Sequence, residues 1–235
     1  MQLAQILFTQ GFGTRRECEA LVLMGAVGVA RQTIRDPSAE FDPSGLMLDV
    51  RGEAWPVHAK ALVLLHKPAG VECSQKPRHH PSVMNLLPAP LRLRGVQPIG
   101  RLDADTTGLL LLTDDGALIH RLTSPKKHVE KVYDIETAEP ATPGQIEALL
   151  RGVVLRDDPR PVRAADCART GERSLRMTLL EGKYHQVKRM LAAVGNTVVG
   201  LHRSRFGALE LPRDLAPGQW RWLDGANDVL GPAAP

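Results

Sequence analysis

The stretch Gly100-Arg101-Leu102-Asp103-Ala104-Asp105-Thr106-Thr107-Gly108, continued by Leu109-Leu110-Leu111-Leu112-Thr113-Asp114-Asp115-Gly116, constrains the chain more than any other. Four consecutive leucines bounded by Asp115-Gly116 predict a buried strand followed by a hairpin-type turn. Pro98 and Gly100 form a rigid turn ahead of it. Asp103 therefore stands just before a buried strand, held at the edge of a sheet, where a catalytic acid can be rigidly placed. The stretch alone leaves glycosidic, metal-binding and structural roles open. Its acidic pairs, Asp103-x-Asp105 and Asp114-Asp115, are compatible with magnesium and phosphoryl transfer.

The chain has 235 residues, enough for one or two domains with a real core. Aromatic residues make up only 4%, so core volume must come from Leu, Val and Ala. The net charge of +4 favours a polyanionic partner, and it is unevenly spread. Residues 1–58 carry 5 basic against 7 acidic side chains, and residues 59–235 carry 25 against 19. Nucleic-acid binding, if present, is expected mainly in the second part. Cys18, Cys73 and Cys167 are far apart with no metal-ligand spacing, so no structural zinc is expected. Free thiols suit a reducing cytoplasm. The longest apolar run, residues 20–30, is too short to span a bilayer, so no membrane association is expected.

Along the chain, Leu3, Ile6 and Leu7 have helical spacing. Thr14 with Glu17 forms a capping box for a second helix, stopped by Gly25. Val27–Val29 and Leu46–Val50 read as strands, with Arg31-Gln32 as a turn between them. Residues 52–60 read as a linker and His66-Lys67-Pro68-Ala69-Gly70 as a turn. Val129 to Glu136 alternates, with Lys131 and Tyr133 on one face. Thr142-Pro143-Gly144-Gln145 starts a helix. Val187, Met190 and Leu191 mark another, followed by a strand carrying His202, Arg203 and Arg205. The Pro/Ala tail is expected to fray. Strands with few helices between them indicate an α+β fold with a mostly antiparallel or mixed central sheet and flanking helices.

Three elements stand out chemically: Arg101-Leu102-Asp103, Lys131-x-Tyr133, and Lys183-Tyr184-His185-Gln186-Val187-Lys188-Arg189-Met190. Each has a plain structural reading, as a turn cap, a strand aromatic or a solvated helix face. Together they resemble the pseudouridine synthases, specifically the family whose type member modifies small-subunit ribosomal RNA. Thr123-Ser124-Pro125, Val194-Gly195-Asn196 and Leu215-Ala216-Pro217-Gly218 also match. The resemblance is close over residues 60–223 and loose over 1–55. The latter are similar to an S4 RNA-binding domain, with two helices and hairpin-like strands. The implied organisation is an S4-like α/β domain over 1–58 and a catalytic domain over 59–235.

The resemblance implies isomerisation of a uridine in small-subunit ribosomal RNA, at a site of the uridine-516 type, without cofactor or metal. Asp103 would be the nucleophile, Tyr133 would stack on the flipped base and serve as general base, and Lys188 would pair with Asp103. Arg101 would hold the vacated space in the RNA. Thr107, His185 and Gln186 would contact substrate. Lys126, Lys127, Lys131, Lys183, Arg189, Arg203 and Arg205 would contact phosphates. Asp105, Asp114 and Asp115 are left to turn and capping roles. A cytoplasmic monomer acting on ribosomal RNA or its assembling particle is expected. The alternatives are a related synthase for large-subunit or transfer RNA, and a non-catalytic RNA-binding assembly protein.

Overall fold

A computed structural model describes residues 1–156 and 158–231; the Pro/Ala tail lies outside them. The chain divides into two compact units. One gathers Met1–Ala61, Leu87–Gln97 and Thr113–Asp115, and the other holds the remainder.

The first unit opens with α1 (Leu3–Thr9) and α2 (Arg15–Leu23), then β1 (Val27–Val29), β2 (Gln32–Ile34), β3 (Met47–Val50) and β4 (Glu53–Pro56). Thr14 Oγ1 accepts from the Glu17 N–H while the Glu17 carboxylate accepts from the Thr14 N–H, so the expected capping box is formed. Leu3, Ile6, Leu7, Cys18 and Val22 are fully buried, and so nearly are Val27 and Leu48 of the sheet β2-β1-β3-β4. The β1–β2 turn is Ala30-Arg31, both left-handed, with φ of 48° and 66°. That suits a two-residue hairpin whose twist matches its strands. Gln32, expected in the turn, opens β2 instead.

Residues 52–60 are not a linker throughout, because β4 pairs antiparallel with β3. Trp55 is buried and meets Phe12 edge-on, with centroids 5.0 Å apart. Pro56 is tolerated because β4 is an edge strand. Helix α3 (Ala89–Leu93) also belongs to this unit. Arg94 at its end donates to Gln10 Oε1 at 2.8 Å and to Asp114 Oδ2 at 2.9 Å. Asp114 Oδ1 accepts from the Ala61 N–H at 2.8 Å. Asp114, expected only to cap a turn, is thus the ion-pair partner of Arg94.

The second unit contains β5 (Leu62–Lys67), then β6 (Gln97–Pro98) and β7 (Thr107–Thr113) apart from their end residues Gln97 and Thr113, followed by α4 (Gly116–Thr123) and β8 (Lys131–Thr137). There follow α5 (Pro143–Arg151), β9 (Val153–Leu155), β10 (Asp158–Val162), β11 (Asp166–Gly171), β12 (Ser174–Leu179) and α6 (Gln186–Ala193). The chain closes with β13 (Val198–Phe206), β14 (Leu209–Glu210), β15 (Trp220–Trp222) and α7 (Ala226–Leu230), the last absent from the sequence reading. The main path of the sheet is β11-β12-β8-β13-β7-β5-β15 among the described residues. It is mixed, as expected: β13 runs parallel to β7, while β8 is antiparallel to both β12 and β13.

Leu109–Leu112 are fully buried because β7 is internal to the sheet. The turn after them is not a hairpin. Asp115 leads into α4, and β7 takes β13 and β5 as its neighbours. Gly108 has φ +106°, and a Cβ there would collide with the Arg203 backbone. The missing side chain is what lets β13 lie so close to β7.

Candidate active site

A pocket in the second unit has its floor on the sheet. Antiparallel register sets Tyr133 opposite Arg203 and Lys131 opposite Phe206, and all four side chains line it. One wall is the loop before β7, with Arg101, Asp103 and Thr106; another is the segment leading into α6, with Lys183, His185 and Lys188.

Asp103 has a nitrogen at each carboxylate oxygen. His185 Nε2 lies 3.2 Å from Oδ1, and Lys188 Nζ lies 3.1 Å from Oδ2. His185 is the left-handed N-cap of α6, and Lys188 is three residues on, so one helical face presents both. Lys188 Nζ also lies 2.7 Å from Asp105 Oδ1. Burial lowers the Lys188 pKa, but its hydrogen bonds to Asp105 and Asp103 outweigh that, and the net shift is upward. The same hydrogen bond holds the Asp105 carboxyl below its usual range. Asp105, expected in a turn role, is therefore a second counter-charge for Lys188. The acidic pair of the loop is occupied by an ammonium group.

The loop carrying Asp103 is fastened from behind by Lys67. This side chain is fully buried, and its Nζ donates to the carbonyls of Pro68 (3.0 Å), Ala104 (3.2 Å) and Thr106 (2.8 Å). Burial pushes its pKa down, opposed by Cys73, Asp105 and Asp103. From sequence alone Lys67 reads as part of a turn. The available signal was a lysine ending the apolar run of β5, a place where a charge must find partners.

Several expected RNA contacts lie elsewhere. Lys131 and Arg203 are buried, at 8% and 2% exposure, and face the pocket instead of solvent. Lys131 Nζ donates to Val129 O at 2.7 Å, and burial, with Arg203 nearby, lowers its pKa to about 8. Arg203 Nε donates to Leu109 O at 2.8 Å, and its guanidinium lies 5.1 Å from the Phe206 ring centroid. Thr107 is turned away from the pocket, with Oγ1 2.9 Å from His202 Nδ1. Its neighbour Thr106 lines the pocket. Adjacent residues in extended chain face opposite ways, and that alternation was the signal for Thr106. Thr106 Oγ1 and Arg203 Nη2 are buried without a partner among the described residues.

Gln186 is buried and committed internally. Its amide donates to Glu181 Oε1 at 3.1 Å and its oxygen accepts from the Lys183 N–H at 2.8 Å. Lys183 Nζ pairs with Asp158 Oδ2 at 2.6 Å, a pairing that holds the Asp158 carboxyl at about 2. Arg189 donates to Tyr184 O at 2.9 Å, and Arg205 pairs with Glu130 at 2.8 Å. Lys126 and Lys127 are exposed in the 3₁₀ turn Pro125–Lys127, and Arg101 is exposed at the pocket. No helix among the described residues is long and apolar enough to cross a membrane.

A protein-family model described as RNA pseudouridylate synthase matches residues 61–193. Ribosomal small subunit pseudouridine synthase A of Vibrio cholerae is 38% identical over 210 residues, which are 89% of this chain and 90% of that protein. Its counterpart of the same name in Escherichia coli is 43% identical over 166 residues, 71% of each chain. The uncharacterized RNA pseudouridine synthase YtzG of Bacillus subtilis is 38% identical over 227 residues, 95% of each. A crystal structure of a pseudouridylate synthase matches with a TM-score of 0.67 and 33% identity, covering 95% of this chain and 96% of its own.

Proposed function

This chain belongs to the RNA pseudouridylate synthase family, and from that premise we propose that it converts one uridine of small-subunit ribosomal RNA to pseudouridine, with Asp103 as nucleophile. The single observation that carries the reading is the Asp103 carboxylate, held by His185 on one oxygen and Lys188 on the other, in a pocket shared with Tyr133. The small-subunit relatives support the substrate class. A site of the uridine-516 type is the corresponding finer reading.

The target base leaves its stack and enters the pocket, while Arg101 occupies the space it vacates. An Asp103 oxygen bonds to the ribose C1′ as the C1′–N1 bond breaks, and the electron pair departs with the uracil. The uracil, stacked on Tyr133, turns until C5 faces C1′. The C5–C1′ bond then forms as the carboxylate leaves, the Tyr133 hydroxyl relays the C5 proton away, and N1, which kept the electron pair of the broken bond, takes up a proton, so that the product is an isomer of the substrate. If the sugar passes instead through a free cation, Asp103 stabilises it from the same position. Thr106 Oγ1 and Arg203 Nη2, buried without partners, supply hydrogen bonds to the polar edge of the uracil. The sequence of steps calls for no cofactor or metal.

Lys126 and Lys127 grip phosphates outside the pocket. Residues 1–58 act as an S4-like RNA-binding domain and 59–235 as the catalytic domain, in a cytoplasmic monomer. Mapping pseudouridines in ribosomal RNA from cells lacking the gene tests the assignment. The expected result is loss of one small-subunit pseudouridine, restored on re-expression. Loss confined to large-subunit or transfer RNA would overturn the substrate class, and no loss would overturn the function.

A further inference from the structure

A groove continues from the pocket along the Asp103 loop to residues 72–80. Arg78, His79, His80, Arg101, Tyr184 and His185 line it. Arg78, His79, His80 and Tyr184 have no part in the chemistry above, yet the surface that they form is built.

Glu72 organises the loop that carries the basic side chains. Its carboxylate accepts from the backbone N–H groups of Arg78 (3.1 Å), His79 (2.9 Å) and His80 (3.0 Å). Its own N–H donates to Pro81 O at 2.9 Å, and its carbonyl accepts from Val83 N at 2.8 Å, closing the loop at its base. The acidic charge is thereby used within the backbone, and the basic side chains are left to the groove.

Tyr184 is 68% exposed, although an aromatic ring in water is unfavourable. His185 stacks on it, with centroids 3.8 Å apart and planes 19° apart. Arg189 Nη1 fixes the Tyr184 carbonyl at 2.9 Å. A rigidly backed aromatic in a groove with two guanidinium groups has the composition of a single-strand nucleic-acid platform.

We propose that this groove holds the RNA strand next to the target uridine, with a neighbouring base stacked on Tyr184 and an adjacent phosphate on Arg78. The proposal rests on the pocket being the uridine site. Extracting a base deprives its neighbour of a stacking partner, and the Tyr184 ring supplies a replacement without reading the neighbour's identity.

The test uses small-subunit ribosomal RNA labelled with 5-tritiated uridine, and measures tritium release and equilibrium binding. Tyr184→Ala should raise KM and Kd about tenfold, as expected for loss of one base stack, with kcat within about twofold of wild type on that basis. Tyr184→Phe should restore both. Arg78→Ala should lower the slope of log Kd against log salt by about 0.7, one single-strand phosphate contact. Wild-type KM and Kd in Tyr184→Ala would overturn the proposal, as would a loss in kcat alone, a failure of Tyr184→Phe to rescue, or an unchanged salt slope in Arg78→Ala. If wild-type protein releases no tritium, the proposed reaction fails, and the binding measurements still decide the groove.

Discussion

Lys67 Nζ donates to the Thr106 carbonyl across 2.8 Å, behind the loop that presents Asp103. The same ammonium holds the Ala104 carbonyl at 3.2 Å. Lys67→Met leaves the buried Thr106 carbonyl without that donor, at a cost of roughly 1–3 kcal/mol for a buried orphan, while the Ala104 carbonyl keeps the Gly70 N–H at 2.8 Å. Thermal melts should show a midpoint lower by several degrees, since 1 kcal/mol corresponds to about 2–4 °C at this size. Because the loop positions the proposed nucleophile, Asp103, kcat should fall about tenfold or more, with KM for RNA nearly unchanged. A normal kcat in the folded variant would remove Lys67 from the positioning of Asp103.

Lys188 touches two carboxylates, and their consequences should separate. Asp105 is largely exposed, and an exposed ion pair contributes about 0–1 kcal/mol. Asp105→Asn should therefore keep kcat within about threefold. Lys188→Ala removes the cation at Asp103 and should lower kcat about a hundredfold, the scale of losing one electrostatic partner at the reacting group. Single-turnover tritium release compares them directly. Equal losses in the two variants would make Asp105 a partner of equal weight.

Gly108 predicts a local sensitivity. Its positive φ disfavours any side chain, and a Cβ would strike the Arg203 backbone, which cannot rotate away. Gly108→Ala should destabilise by at least ~2 kcal/mol, combining backbone strain with overpacking. Urea denaturation measures it, and a variant as stable as wild type would mean that β13 can withdraw from β7 at little cost.

Lys131 predicts a pH dependence of stability. Its pKa is about 8 in the folded protein against an ordinary 10.5. Between those values the unfolded chain binds the extra proton, so stability rises with pH across that window. Below it the full penalty of burying the charge is present. Lys131→Met lacks the group, so wild type should gain stability relative to this variant as pH rises from about 8 to 10.5. Urea melts at several pH values supply the comparison, in which Lys67 is common to both proteins. A difference that does not change with pH would show that Lys131 titrates alike in both states.

Local signals carried much of this architecture. Thr14 with Glu17 and Thr142 with Gln145 both form the capping boxes that their spacing predicts. Strand alternation put Lys131 and Tyr133 on one face, and both line the pocket. What local patterns could not carry was the third dimension. Lys131 and Arg203 read as basic surface because strand periodicity says which residues share a face, not whether another layer covers it. Lys67 sits in a segment with every mark of a turn, and only tertiary packing buries its ammonium among carbonyls. Residues 52–60 looked too polar for regular structure, yet pairing with β3 and burial of Trp55 override that preference.

The central claim is that Asp103 performs the glycosidic step. It is tested most directly by tritium release from 5-tritiated uridine in small-subunit ribosomal RNA, comparing wild type with Asp103→Asn. Asparagine keeps the side chain's shape and removes the nucleophilic charge. Wild type should give full release and Asp103→Asn none, with RNA binding nearly intact. Turnover by Asp103→Asn at the wild-type rate would contradict it.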